Sequence, residues 1–321
     1  MLMNGHIKAL PRQRTMLASN KAARFLKVLK NDKYLYIMFL IPFVYYILFH
    51  YYPIYGITLA FKEFNIMEGI LGSPWVGMKY IQQFIMDPYF WQVVKNTLTI
   101  SIVNLIFSFP VSVILALMLN ELRLPRYKRL VQTVSYLPHF ISVVVVCGMV
   151  TTFLSSDGIV NQLIVLLGGS KQAFLTQPQS FIPIYVISGI WQGAGWGSII
   201  YLSALSSIDV QLYEVSTIDG ANRWHQLLHV TLPGILPTIC IMFILETGKI
   251  MEVSFQKVLL LLNGSNMETA DVISTYVYRR GIIGADFSYS TGVGLFQSLI
   301  GMLFILSSNA IMRKVNETSL W

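Results

Sequence analysis

Six stretches of the chain, 34–61, 90–119, 130–154, 181–205, 236–262 and 291–312, are each long and apolar enough to cross a lipid bilayer as a helix. A span needs about 20 mainly apolar residues, and inside hydrocarbon every backbone N–H and C=O must find its partner within the protein. Repeated runs of this length therefore call for an all-α polytopic membrane protein. Composition agrees: 12% of the 321 residues are charged and 55% are hydrophobic, whereas soluble domains carry about 25% charged residues. The two cysteines, Cys147 and Cys240, lie inside apolar runs and form no CxxC pair, so a disulfide framework or thiolate metal site is excluded. The first run begins only at Tyr34 and is followed by no small-residue cleavage site; it is expected to stay as a helix.

The net charge of +8 would point to nucleic acid in a soluble protein. Here the charges flank apolar runs, which is the pattern of anchoring on one face of a membrane and calls for lipid, not nucleic acid, as the partner. Lys8, Arg12, Arg14, Lys21, Arg24, Lys27, Lys30 and Lys33 precede the first run; Arg123, Arg126, Lys128 and Arg129 fill the second connection; Arg313 and Lys314 follow the last run. The alternate loops hold Lys62, Lys79, Lys171, Arg279 and Arg280. Six spans with this bias predict both termini in the cytoplasm, together with loops 120–129 and 206–235. The organisation is thus a basic cytoplasmic tail (1–33, with a possible surface helix at 22–30), a six-helix domain (34–312) and a short cytoplasmic tail (313–321). Loop 62–89 is rich in Gly, Pro and aromatics and should be compact; 161–179 reads as a lid or re-entrant piece.

The loop 206–235 is a polar island between two spans. Asp209 is placed to cap a short helix at 210–217, Asp219-Gly220 supplies a turn, and a second short helix at 221–229 is expected to end at Pro233. Two short helices at an angle make a knob that fits a cleft on a soluble partner. Glu214, Asp219 and Arg223 offer charge-assisted contacts, and Gly220 and Ala221 permit close backbone approach. A plain interfacial loop is the simpler reading of the same residues.

Glu214-Val215-Ser216, three residues, Gly220, nine residues, then Val230-Thr231-Leu232-Pro233 resembles the EAA motif of ABC-importer permeases, with Val215 and Ser216 in place of two alanines and Val230 in place of isoleucine. The resemblance covers most of the chain and is similar to the carbohydrate-uptake branch, the maltose-type, LplB-like permeases. It is carried by Pro53-Ile54-Tyr55-Gly56, Asn96-Thr97-Leu98, Ser135-Tyr136-Leu137-Pro138-His139-Phe140, Trp191-Gln192-Gly193-Ala194-Gly195-Trp196-Gly197, Ala270 to Tyr278, and Thr291 to Ser298. The resemblance implies a type I ABC-importer permease fold in the bacterial cytoplasmic (inner) membrane. It implies an ATPase-coupling role for Glu214, Asp219, Gly220, Ala221, Arg223, Leu232 and Pro233. It further implies a second, homologous permease subunit, two cytoplasmic ATPase subunits that carry ATP and Mg, and an extracytoplasmic solute-binding protein.

Ionisable side chains at membrane depth face a cavity or a partner. On a continuous fifth-span helix, Glu246, Lys249, Glu252, Gln256 and Lys257 fall within an arc of about 140°, interrupted by apolar residues. They form either a polar wall of a substrate path or a structural ion pair against a second subunit. Lys249 and Lys257, if unpaired, would favour anions. In the fourth span, Trp191, Gln192, Trp196 and Tyr201 combine aromatic faces with amide and hydroxyl groups, a mixture suited to sugars. Glycines 189, 193, 195 and 197 permit close packing or a local break. His50, His139, His225 and His229 lack metal-ligand partners at suitable spacing, no nucleophile elbow is present, and no GxxxxGK[ST] phosphate loop occurs. The chain is expected to be no enzyme, with no catalytic residues, metal or cofactor of its own. The expected function is a permease subunit of an ATP-driven importer for a carbohydrate, an oligosaccharide, neutral or acidic. An ion- or proton-coupled secondary transporter or channel, with Glu246, Lys249 and Glu252 as relay, is the alternative.

Overall fold

The computed structural model describes residues 31–316. Most of the basic tail, the helix expected at 22–30 and the end of the C-terminal tail lie outside the described residues. The chain divides into two units, one ending at Thr58 and the other beginning at Leu59.

The first unit is made by most of α1, Lys33–Phe61. Pro53 lacks an N–H, and its ring displaces the carbonyl four residues earlier. The helix accommodates it with one wide turn, Ile47–Tyr51, of π type, and continues.

In the second unit α2 (Phe90–Glu121) is the spine. It is followed by α3 (Pro125–Phe140) and α4 (Val143–Phe153), α5 (Phe181–Ser206), α6 (Val210–Ile218), α7 (Arg223–Gly248), α8 (Phe255–Leu261) and α9 (Phe287–Lys314). The described residues form no strand; the one β-bridge, Lys62 to Trp75, closes the compact loop expected at 62–89. Among the described residues four helices, α1, α2, α7 and α9, are long and apolar enough to cross a membrane, or five spans if the bent α3–α4 pair counts as one. α5 has the length, at 26 residues, but its glycines, Trp191 and Gln192 dilute its hydropathy.

Two expected spans are corrected. Stretch 130–154 is not straight: α3 and α4 meet at 99°. Pro138 cannot continue the α-helical hydrogen-bond ladder, the turn tightens to 3-10 at Leu137–Phe140, and Ile141 and Ser142 are extended, with Ser142 capping α4. Stretch 236–262 is not one helix either. α7 stops at Gly248 and the backbone is irregular until α8 starts at Phe255, so the single helical arc that would carry Glu246, Lys249, Glu252 and Lys257 does not exist.

Three buried apolar clusters lie along α2. Phe90 and Val93 join Phe84, Met251, Ile273 and Tyr289; Ile100 joins Cys147, Tyr185, Val258 and Val272; Val113 and Ala116 join Tyr201, Leu205 and Ile235. Between the second and third, α2 turns Asn104, Ser108 and Ser112 toward α5. Because lipid is as apolar as these side chains, tight packing and hydrogen bonds, not water exclusion, hold such helices together. The motifs quoted above are where that packing is closest. A Cβ on Gly195 of α5 would stand 1.9 Å from the Ser135 carbonyl oxygen of α3, so the two backbones touch. The Trp196 indole stacks on His139 at 4.5 Å. The Asn96 amide donates to the Asp271 and Glu268 carbonyls, and the Thr97 hydroxyl accepts from the Ile273 N–H.

Gly195→Ala forces α3 and α5 apart. Overpacking of this kind costs about 1–3 kcal/mol, and the expected outcome is a lower unfolding midpoint in detergent, read by intrinsic tryptophan fluorescence, with Gly193→Ala, which meets nothing within 4 Å, nearly unchanged.

Candidate functional site

Two regions carry the chemistry, the turn between α6 and α7 and the polar gap between α2 and α5.

The first is built by capping. The Asp209 carboxylate accepts from the Gln211 N–H at 2.9 Å and starts α6. α6 ends in a Schellman arrangement: the Ala221 N–H reaches the Ser216 carbonyl at 2.9 Å and the Gly220 N–H reaches that of Thr217 at 3.1 Å. Gly220 sits at φ +79°, the left-handed region that glycine adopts without steric cost. Asn222 then caps α7 through the His225 N–H at 2.9 Å. Gln226 ties the two helices by donating to Ser216 and Thr217 at 3.1 and 3.0 Å, and the Tyr213 hydroxyl lies 3.0 Å from that of Thr231. Glu214, Asp219 and Gly220 are exposed, as are Ile218 (84%) and Trp224 (65%). Arg223 lies 3.9 Å from Glu121, an exposed pair of the kind that adds little stability.

The second half of this knob differs from expectation. Pro233 does not end a short helix. A π-turn at Leu227–Thr231 absorbs it, two residues ahead of the proline, as the π-turn of α1 does for Pro53. The helix that begins at Arg223 therefore runs unbroken to Gly248, 26 residues in all. Leu232 and Pro233 are part of one rod joining the knob to the second region.

That region is a cavity of about 380 Å³, within the span of about 300–1,000 Å³ in which small-molecule sites fall. α2 supplies Asn104, Ser108 and Ser112; α5 supplies Tyr185, Gln192 and Tyr201; α7 supplies Glu246; Ser254 and Lys257 complete it. A smaller space of about 110 Å³ adjoins it through Asn104, Tyr185 and Glu246 and reaches Lys249 and Glu252. Gln192, Tyr201, Glu246, Lys249 and Glu252 are thus brought together. Trp191 and Trp196 are not: Trp191 lines a separate apolar pocket beside α4, and Trp196 is taken up by His139. Glu246 accepts from Lys249 at 3.3 Å. Lys257, 5% exposed, donates to the Tyr185 carbonyl at 2.8 Å and stands 4.7 Å from the Tyr185 ring centre.

Both chain breaks border this cavity, and neighbouring side chains satisfy them. At the α3–α4 elbow the Gln192 amide donates to the Ile141 carbonyl at 2.9 Å. At the break after α7 the Ser254 N–H donates to the Tyr185 hydroxyl at 3.2 Å, and Gln297 of α9 donates to the Met251 carbonyl. The sequence reading passed over Asn104, Ser108 and Ser112, although their i, i+4, i+8 spacing in an apolar helix places them on one face. It could not see the role of Tyr185.

An all-helical membrane protein with a polar cavity and a capped knob is the class that fold and site define. Residues 108–318 match the family described as "Binding-protein-dependent transport system inner membrane component", and the chain belongs to that family of transport permease subunits. It is 42% identical over 302 residues to the Polygalacturonan/rhamnogalacturonan transport system permease protein YteP of Bacillus subtilis (strain 168), covering 94% of each chain. It is 38% identical over 318 residues to Protein LplB of the same organism, covering 98% of this chain and 100% of that one. Among solved structures, a chain of the bacterial alginate ABC transporter in complex with an alginate pentasaccharide-bound periplasmic protein aligns with a TM-score of 0.83 at 40% identity, over 92% of this chain and 100% of that one.

Gln192→Leu leaves the Ile141 carbonyl without its donor at a half-buried elbow. A lost buried partner costs about 1–3 kcal/mol; the expected result is a drop in thermal midpoint and faster protease cleavage between α3 and α4, with Gln192→Glu no substitute because it cannot donate when ionised.

Proposed function

We propose that the chain is the permease subunit of an ATP-driven importer of an oligosaccharide, working with a second permease, two ATPase subunits that bind ATP and Mg, and an extracytoplasmic solute-binding protein. The observation that carries the reading is the continuity of α7. One end belongs to an exposed, capped knob, and Glu246 near the other end lines the polar cavity. Over the 23 residues from Arg223 to Glu246 a helix rises about 35 Å, so a push on the knob reaches the cavity as a rigid displacement. Glu214, Asp219, Gly220, Ala221 and Arg223 would seat the knob on an ATPase, with Leu232 and Pro233 setting the angle of the rod. The carbohydrate assignment is supported by the names of the relatives. Six spans with both termini cytoplasmic fit this reading if α5 and the α3–α4 elbow each lie in the membrane, and the charge bias supports that placement.

Gly220→Trp tests the knob. The left-handed φ disfavours any other residue by about 1–2 kcal/mol, but nothing lies within 4 Å of the position, so insertion and folding are expected to persist. The expected outcome is loss of ATPase co-purification and of ATP-dependent uptake in proteoliposomes. Normal uptake with the ATPase still bound refutes the docking role, and uptake that needs no ATP returns the chain to the ion-coupled carriers.

A further inference from the structure

Lys257 is the feature of the cavity that packing does not account for. Among the described residues the ion pairs are Lys79–Glu63, Lys171–Asp157, Arg223–Glu121, Lys249–Glu246 and Arg279–Asp271. None involves Lys257, although it is one of the most buried cations of the chain, at 5% exposure. An ammonium carries three donors; one is used on the Tyr185 carbonyl. A buried charge with no counter-ion is costly, and inside a membrane domain such a group marks a transport path more often than a packing device.

The space beside the ammonium is kept open. Gly189 of α5 faces it, and a Cβ there would stand 3.3 Å from Lys257 Nζ and 3.7 Å from Asn104 Oδ1. The other ionisable charge of the cavity, Glu246, is already matched by Lys249. The second carboxylate, Glu252, lines the adjoining smaller space and not this one, so within the larger cavity the charge left without an ion pair is the Lys257 ammonium, next to the amides and hydroxyls of Asn104, Ser108 and Gln192.

We propose that Lys257 is the anion-recognising group of this cavity and that the cargo is an oligosaccharide of uronic acids, one carboxylate at a time taking the place of the missing counter-ion. The sugar hydroxyls meet Asn104, Ser108 and Gln192, and Gly189 leaves the room. A single ammonium matches the single charge of a carboxylate, and a charge-assisted hydrogen bond adds both affinity and selection against neutral sugars. This inference rests on the importer reading above and narrows it.

The test is uptake into proteoliposomes holding the complete assembly, with ATP inside and the binding protein outside, using trigalacturonate and maltotriose as the charged and neutral probes. Trigalacturonate is expected to enter. Lys257→Met should cut its uptake at least about tenfold, the size of one lost hydrogen bond to a charged group, while Lys257→Arg, which keeps the charge, retains most of it. Gly189→Ala, a change of one methyl group, should raise the trigalacturonate KM in the same direction and serves if the methionine variant does not assemble, which co-purification of the ATPase reports. Undiminished trigalacturonate uptake by both Lys257→Met and Gly189→Ala, or wild-type uptake of maltotriose alone, overturns the proposal and leaves the importer intact. Uptake of neither sugar by an assembly that still turns over ATP counts against the carbohydrate reading itself.

Discussion

Backbone polar groups that cannot reach water must be answered from inside the protein, and this requirement organises the chain around its two breaks. Where the ladder stops at Ile141 and Ser142, the freed carbonyl is met by Gln192 of α5. Where it stops after Gly248, Tyr185 of α5 and Gln297 of α9 take the exposed groups. Irregular backbone within a membrane domain is tolerated where it is buried in protein or lines a cavity, and here it does both. The cavity is thus a by-product of how the breaks are satisfied. α5 supplies donors and acceptors to both elbows, and the polar face it needs for that is the same face that meets Asn104, Ser108 and Ser112. Its low hydropathy follows from this work, since a helix that answers two breaks cannot also be apolar throughout.

Prolines are handled in two distinct ways, and the difference decides what moves with what. At Pro138 the chain tightens into a 3-10 turn and bends through 99°. At Pro53 and Pro233 it widens into a π-turn and the helix continues. Pro233 stands in a helix whose next turns pack against α9, where a Cβ on Gly248 would press within 2.4 Å of Ile305. The helix runs on past Pro233, whereas at the Pro138 elbow the ladder stops and the freed Ile141 carbonyl takes its donor from Gln192.

The apolar runs 90–119 and 181–205 predicted helices that the structure contains to within two residues, and 291–312 one that the structure starts four residues earlier, because an uninterrupted run is enough where nothing breaks the ladder. The knob was legible in the same way: Asp209 and Asp219-Gly220 are local signals, and local signals determine caps, although the cap that Asn222 gives α7 was passed over. What could not be read was anything set by a neighbour. Pro233 looks like a stop because the residues that carry the helix past it lie on other elements. Residues 246–257 look like one helical face because the break after Gly248 depends on Gln297 and Tyr185, far away in sequence. Trp191 and Trp196 looked alike in a Trp-rich stretch, yet one meets an aliphatic pocket and the other a histidine, according to which way each faces on α5.

The unbroken run of α7 fixes the phase between its two ends. One residue inserted between Leu232 and Leu245 would turn Glu246 by about 100° relative to the α6–α7 corner, swinging its carboxylate out of the cavity while leaving the corner itself unchanged. An insertion between Lys249 and Ser254 disturbs no helical phase, but it displaces the buried Met251 and the bonds that Gln297 and Tyr185 make there. Grafts that exchange the corner between chains of this kind must therefore preserve the count of residues up to Glu246.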